Sequence, residues 1–152
     1  GFNYRMSEIH AVLGIEQLKK LPRFLERRAE NHRTLSRLLS DAPWLRVLPA
    51  PTDRLLSCHY CLAVILDDEL ARLRPQILNT LADRGIGASV YYPQPVPRMT
   101  YYKEKYGYDA SRFPNAARIS DNSIALPVGP HLNTKDMEVI ATNLKDIVNG
   151  VS

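Results

Sequence analysis

The sequence predicts an α/β layer domain, and three observations carry the prediction. Two consecutive helical patterns run from Ser7 to about Ser40. After them, short runs rich in β-branched and aromatic residues alternate with further helical patterns, and Pro, Gly or Asp falls at each change of period. No segment repeats and none is of low complexity, so residues 1–152 are expected to form a single domain. With 45% hydrophobic and 24% charged residues, a chain of this length can bury a core without disulfide or metal staples.

The elements follow in order. Ser7 is a helix cap, and Ile9, Val12 and Leu13, then Ala11, Ile15 and Leu18, set an amphipathic helix over residues 7–21. Pro22 lacks an N–H and crowds the preceding turn, which predicts a kink or two separate helices. The second pattern runs to about Ser40, with Phe24, Leu25, Leu35, Leu38 and Leu39 on its apolar side. Arg23, Glu26, Arg27, Glu30, Arg33 and Arg37 fill the other side, and this alternation reads as a solvated face of i,i+4 pairs.

A Pro-rich connection over 41–53 holds a short edge strand at 44–48. Residues 57–66 read as a central strand. Asp67-Asp68 caps a helix with Leu70, Leu73, Ile77, Leu78 and Leu81 inward, and Gly85 sits where a left-handed cap belongs. Residues 86–92 read as another strand, ended by Pro93, Pro95 and Pro97. Residues 99–108 form a Tyr-rich helical turn or loop, and Pro114 opens a small helix to about Ser120. Residues 123–126 are a further strand. Asn133 or Thr134 caps a last helix striped by Met137, Ile140, Leu144 and Ile147.

Composition excludes several classes. No apolar run approaches the ~20 residues of a membrane helix, and the start has no signal-peptide pattern. Cys58 and Cys61 form no disulfide framework, so buried free thiols and a reducing cytoplasm are expected. A net charge of +4, concentrated over 19–37, argues only weakly for nucleic acid. The first residue is Gly, not Met, which suggests a piece of a longer chain or a processed start.

Few residues carry recognisable chemistry. On a strand, Cys58 and Cys61 would face opposite ways, so no metal site is expected. His10, His32 and His131 lie in no catalytic context, and Gly85-Ile86-Gly87 lies between a helix and a strand, the reverse of a dinucleotide loop. No lysine has the desolvated setting that Schiff-base chemistry needs. Two stretches stand out: Asn3, Tyr4 and Arg5 ahead of the helix cap, where donors suit an anionic or phosphorylated ligand, and the Tyr/Pro segment 91–102.

Three ordered motifs, GFNYRMSEIHAVLGIEQLKKL, RGIGASVYYPQPVPRMTYYKEKYGY and FPNAARISDNSIALPVGPHLNTKDMEVI, cover essentially the whole chain. They resemble the C-terminal domain of the DegT/DnrJ/EryC1/StrS family of pyridoxal-phosphate (PLP) dependent sugar aminotransferases. The resemblance implies an α+β fold. It would be the small C-terminal domain of an aspartate aminotransferase-like, fold type I enzyme, a mainly antiparallel sheet of about three strands packed with helices behind the long kinked or broken helix.

It also implies transfer of an amino group, usually from glutamate, to a keto group of a nucleotide-linked sugar, by a cytoplasmic homodimer with sites at the subunit interface. It maps Asn3 of the GxNxR motif to the PLP phosphate across that interface, and Arg5 to an anionic group of cofactor or substrate. Tyr4 is a weaker carry-over. The family's His-Tyr-Pro and Leu-His positions fall on Tyr91 and on Val96-Pro97, so both imidazoles are replaced here. Tyr91 and Tyr92 are then the substrate-binding candidates, their alternative being a sheet end packed under prolines.

The aldimine lysine of the family lies upstream of GxNxR, so none of this chain's residues is assigned a catalytic role. This chain by itself is expected to be inactive and, lacking the large domain, to self-associate. Relatives that aminate carbocycles or aromatise a ring, and a non-catalytic sugar-sensing or binding module of the same fold, are the alternatives. No membrane, nucleic-acid or metal partner is implied.

Overall fold

One helix, α1 (Glu8–Leu38), runs through both N-terminal helical patterns. The computed structural model describes residues 4–48 and 56–151. Ser7 caps α1 from an extended backbone, its Oγ accepting from His10 N at 3.4 Å. Pro22 sits inside the helix without breaking it, which removes two separate helices from the two expected outcomes. Proline removes a single hydrogen bond at its own position, and cooperative helix on both sides carries the chain past the defect. The charged face does pair along the helix, but at i,i+3: Arg27 Nη1 lies 3.1 Å from Glu30 Oε2.

Three strands form one antiparallel sheet in the order β1-β2-β3: β1 (Leu45–Val47), β2 (Cys61–Leu66) and β3 (Ser123–Pro127). Leu45 pairs with Leu66 and Val64 with Ile124, so β2 is the central strand as expected. It begins later than residue 57. His59 takes a positive φ of 44° and its N–H donates to Ser57 Oγ at 3.1 Å, which ends the extended run before Tyr60.

The strand expected over 86–92 is the larger correction. Only Ser89 pairs, bridging Ala125 on the free side of β3 with N–H···O distances of 3.0 and 2.7 Å. On one side of it the chain is still leaving a helix terminus: Gly85 (φ 76°) donates to Ala82 and Ile86 to Leu81, a Schellman closure. On the other side Pro93, Pro95 and Pro97 have no N–H for a ladder. The third strand is therefore the short β1, not this segment.

The helices match their signals. Asp67 caps α2 (Asp68–Arg72), accepting from Leu70 N at 2.9 Å, but the single helix expected here is divided at Leu73, where α3 (Arg74–Asp83) starts with Pro75 in its first turn. Then come α4 (Thr100–Tyr106), closed by left-handed Gly107, and α5 (Pro114–Asn122), with Pro114 in its first turn. Asn133 Oδ1 accepts from Lys135 N at 2.8 Å at the start of α6 (Thr134–Val151).

The core gathers Leu35 and Leu39 of the α1 end, Leu62, Val64 and Leu66 of β2, Ile124 and Leu126 of β3, and Ile77 and Leu81 of α3. Met137, Ile140, Leu144 and Ile147 of α6 complete it as one stripe. Each fully buried aliphatic side chain contributes roughly 1.5–3 kcal/mol of transfer free energy, so this cluster is the main source of stability. Among the described residues, no helix is long and apolar enough to cross a membrane.

Candidate functional site

The predicted site residues fall in two distant places. Asn3 lies outside the described residues. Tyr4 is 89% exposed and Arg5 is exposed too, both just ahead of the Ser7 cap. Tyr91 and Tyr92, 44% and 69% exposed, stand beside the sheet, following the Ser89 bridge to β3. Their position is set by tethers to the 120–125 region. Ser89 bridges Ala125, Ser120 Oγ donates to Tyr92 O at 2.9 Å, and Arg98 makes a bidentate pair with Asp121 at 2.7 and 2.9 Å. Ser120 and Asp121 are in turn carried by α5, where Arg74 Nη1 donates to the Ser120 carbonyl at 2.6 Å. The proline-rich segment thus lacks a ladder yet is pinned by side chains.

Tyr91 opens onto a cleft of about 250 Å³ that brings together residues from four parts of the chain. Arg28 of α1, Tyr60 and Cys61 of the β2 entry, Ser89 and Tyr91 of the pinned segment, and Gly129 and His131 after β3 line it. The Tyr60 and Tyr91 rings are 5.9 Å apart and tilted, and Tyr92 packs edge-on to Tyr91 at the same distance. A hydrogen bond to Tyr91 raises the Tyr60 hydroxyl above the ordinary phenol range, with the Tyr91 charge, burial and Cys61 adding to it and Arg28 opposing. The Arg28 guanidinium carbon lies 5.7 Å from the Tyr60 ring centre. Gly129 leaves room for the His131 ring, since a Cβ there would stand 2.5 Å from His131 Cε1.

The cleft is anchored by a residue that sequence reasoning passed over. Asn31, fully buried in α1, donates its Nδ2 toward the carbonyls of Val128, Gly129 and Leu132 at 3.5, 3.1 and 3.1 Å. One amide so fixes the loop after β3 to the helix, and Arg28, one turn earlier on the same face, is carried over that loop. Arg28 and Tyr60 were likewise missed. The available signal was an amide, Asn31, four residues before Leu35 on a stripe that buries.

A larger cleft of about 530 Å³ runs along β1, lined by Trp44, Arg46, Asp67, Asn115 and Arg118 among others. Size does not select it. Its guanidinium at Arg118 already faces Asp68 at 3.9 Å, whereas the smaller cleft collects phenols, an imidazole and an arginine without a carboxylate. The thiols depart from expectation. Cys58 is exposed and precedes the strand, and only Cys61 is half-buried, with burial and then Cys58 raising its pKa. Among the described residues, no group of His, Cys, Asp and Glu could hold a metal ion.

Distance separates the two predicted halves. From Glu8 to Arg28 the helix rises about 1.5 Å per residue, roughly 30 Å in all. Arg5 and Tyr91 of one chain therefore cannot touch one small ligand.

A family model, the DegT/DnrJ/EryC1/StrS aminotransferase family, matches residues 1–145. The chain belongs to this family. It is 31% identical over 142 residues to a dTDP-4-dehydro-2,3,6-trideoxy-D-glucose 4-aminotransferase of Saccharopolyspora spinosa, covering 93% of this chain and 34% of that protein. Its fold matches Helicobacter pylori PseC, an aminotransferase involved in the biosynthesis of pseudoaminic acid, with TM-score 0.85 and 27% identity over 99% of this chain and 39% of that one. The PLP form of the putative sugar aminotransferase Spr1654 from Streptococcus pneumoniae matches with TM-score 0.86 and 26% identity, covering 97% and 37%. The chain thus spans between a third and two fifths of the length of these proteins.

Proposed function

We propose that this chain is the small C-terminal domain of a PLP-dependent aminotransferase that aminates a keto group of a nucleotide-linked sugar, with glutamate as amino donor. The observation that carries the reading is the family match over residues 1–145, continuous from the GxNxR segment to the last helix. The first-named relative aminates a dTDP-linked keto-sugar, which supports the substrate class.

The residues present do not make a PLP site by themselves. Lys19, Lys20, Lys103, Lys105 and Lys135 are exposed, and Lys145 is paired with Asp41 at 2.6 Å, so no lysine here is desolvated for a covalent bond to the cofactor. PLP, when bound in the complete enzyme, supplies the electron sink for amino transfer. This chain's part would be to bind and orient. Asn3 and Arg5, with Tyr4 beside them, would serve the cofactor phosphate or another anionic group of a partner subunit, and Tyr91 and Tyr92 the sugar or phosphate side of the chain's own cleft. The ~30 Å between these places along α1 supports a homodimer that shares its sites, and the same reading places it in the cytoplasm.

The test joins this chain to a lysine-bearing PLP domain and supplies glutamate with a panel of nucleotide-linked keto-sugars. Glutamate-dependent amination, seen as 2-oxoglutarate release and an amino-sugar product, is expected. The 152-residue chain with PLP is expected to show no internal-aldimine absorbance. An aldimine band from the chain by itself, abolished by changing one of its own lysines, would overturn the reading. Sugar binding without turnover in the joined polypeptide would move it to a sugar-sensing module.

A further inference from the structure

The cleft contains an arginine whose buried Nε–H finds no acceptor in its own structure. Arg28 Nε is buried and has no hydrogen-bond partner, and among the described residues no carboxylate pairs with this guanidinium. Tyr60 does not resolve this. A ring 5.7 Å away attracts the cation through its face, but the N–H bonds of a guanidinium lie in its plane and still need acceptors. Arg28 as a whole is half-buried, and the desolvation cost of its one buried, unpartnered N–H is what an oxyanion entering the cleft would offset.

Its surroundings fit that demand. The Asn31 hydrogen bonds hold α1 against the loop that forms the cleft floor, so the guanidinium is presented by a rigid element rather than a mobile surface stem. Tyr60 and Tyr91 stand at the same opening with hydroxyls, and His131 lies across the floor on Gly129. The neighbouring arginine, Arg27, is by contrast spent on Glu30.

We propose that Arg28 is the anion anchor of this cleft, receiving the phosphoryl or carboxylate oxygens of a ligand that enters between Tyr60 and Tyr91. This rests on the cleft being the substrate face of the domain. The fork geometry of arginine matches two oxygens of one phosphoryl or carboxylate group, which a lone tyrosine pair cannot do. The two sources of such oxygens are the diphosphate of a nucleotide-linked sugar and the carboxylate of an amino donor.

Titrating the labelled chain with inorganic pyrophosphate, UDP and glutamate, and following amide shifts, tests this without any turnover. Pyrophosphate and UDP are expected to move the amides of Tyr60, Tyr91 and Gly129, and Arg28→Met to weaken them by about tenfold or more with an unchanged melting temperature. If glutamate alone among the probes shows that Arg28-dependent response, the anchor serves the amino donor. Should the Met variant unfold, Arg28→Lys keeps the charge, loses the fork and is expected to bind several-fold more weakly. Absence of shifts with all three probes, or affinities indifferent to Arg28, overturns the proposal. Failure of the joined enzyme to transaminate would leave this binding result standing, so the two ideas fail separately.

Discussion

The two halves of α1 are continuous in backbone but opposite in circumstance. From Arg28 onward the helix lies against β2 and α6, with Leu35 0% exposed and Asn31 bonded to the loop after β3. Before Arg28 it carries Ile9, Val12, Leu13, Ile15, Leu18 and Leu21 with their side chains largely exposed, Leu18 at 64%. Both halves show apolar residues at helical spacing, yet only one has a partner within the described residues. Apolar periodicity shows that a face is suited to burial; it does not say which body buries it.

That contrast is open to direct attack. The largest effect is expected in the packed half. Leu35→Ala should cost about 2–5 kcal/mol by urea denaturation, because the surrounding core cannot collapse into the void. Leu18→Ala should change stability by no more than ~0.5 kcal/mol. Comparable losses at both positions would mean that the projecting half is packed in solution. A second measurement sharpens the same point. The chain is expected to self-associate with rising concentration in light scattering, and Leu13→Glu with Leu18→Glu to keep it monomeric. A wild-type monomer at high concentration would show that the exposed stripe does not drive association.

The smallest effect concerns His32, on the packed half, and His59, whose rings are 4.4 Å apart. Burial, then His59 and Arg33, lower the His32 pKa; burial and Arg33 lower that of His59. A histidine whose folded pKa is depressed binds its proton more readily when unfolded. Stability is therefore retained above the ordinary value of 6.5 and declines as pH falls through and below it. The melting temperature should drop modestly from neutral pH toward pH 5, and His32→Gln should flatten that slope. A pH-independent melt of the wild type would remove these imidazoles from the account.

Much of the fold was legible because its signals are local. Ser7, Asp67, Gly85, Pro114 and Asn133 act through hydrogen bonds or dihedral limits within a few residues, and each marks the terminus it was expected to mark. The segment 86–92 was misread because its β-branched and aromatic content promises a ladder that the flanking Schellman turn and prolines withhold. At Pro22 the sequence left a kink or a break open, and long helix on both sides outweighed one missing bond. The candidate site divides the same way. Tyr91 stood out as a phenol among prolines. Arg28, Tyr60 and Asn31 did not, since each looks ordinary in its own stretch and gains meaning only from residues distant in sequence.

The sequence by itself determined the helices, their caps, the central strand and membership of the aminotransferase family, because caps, periodicity and ordered motifs are properties of neighbouring residues. Tertiary structure alone decided that α1 continues past Pro22, that the sheet closes on the short β1, and that Arg28 meets Tyr60 and Tyr91 over a loop bolted by Asn31. Those outcomes depend on burial and on hydrogen bonds across as many as a hundred intervening residues, Asn31 to Leu132 being 101 apart. No local pattern encodes such a separation.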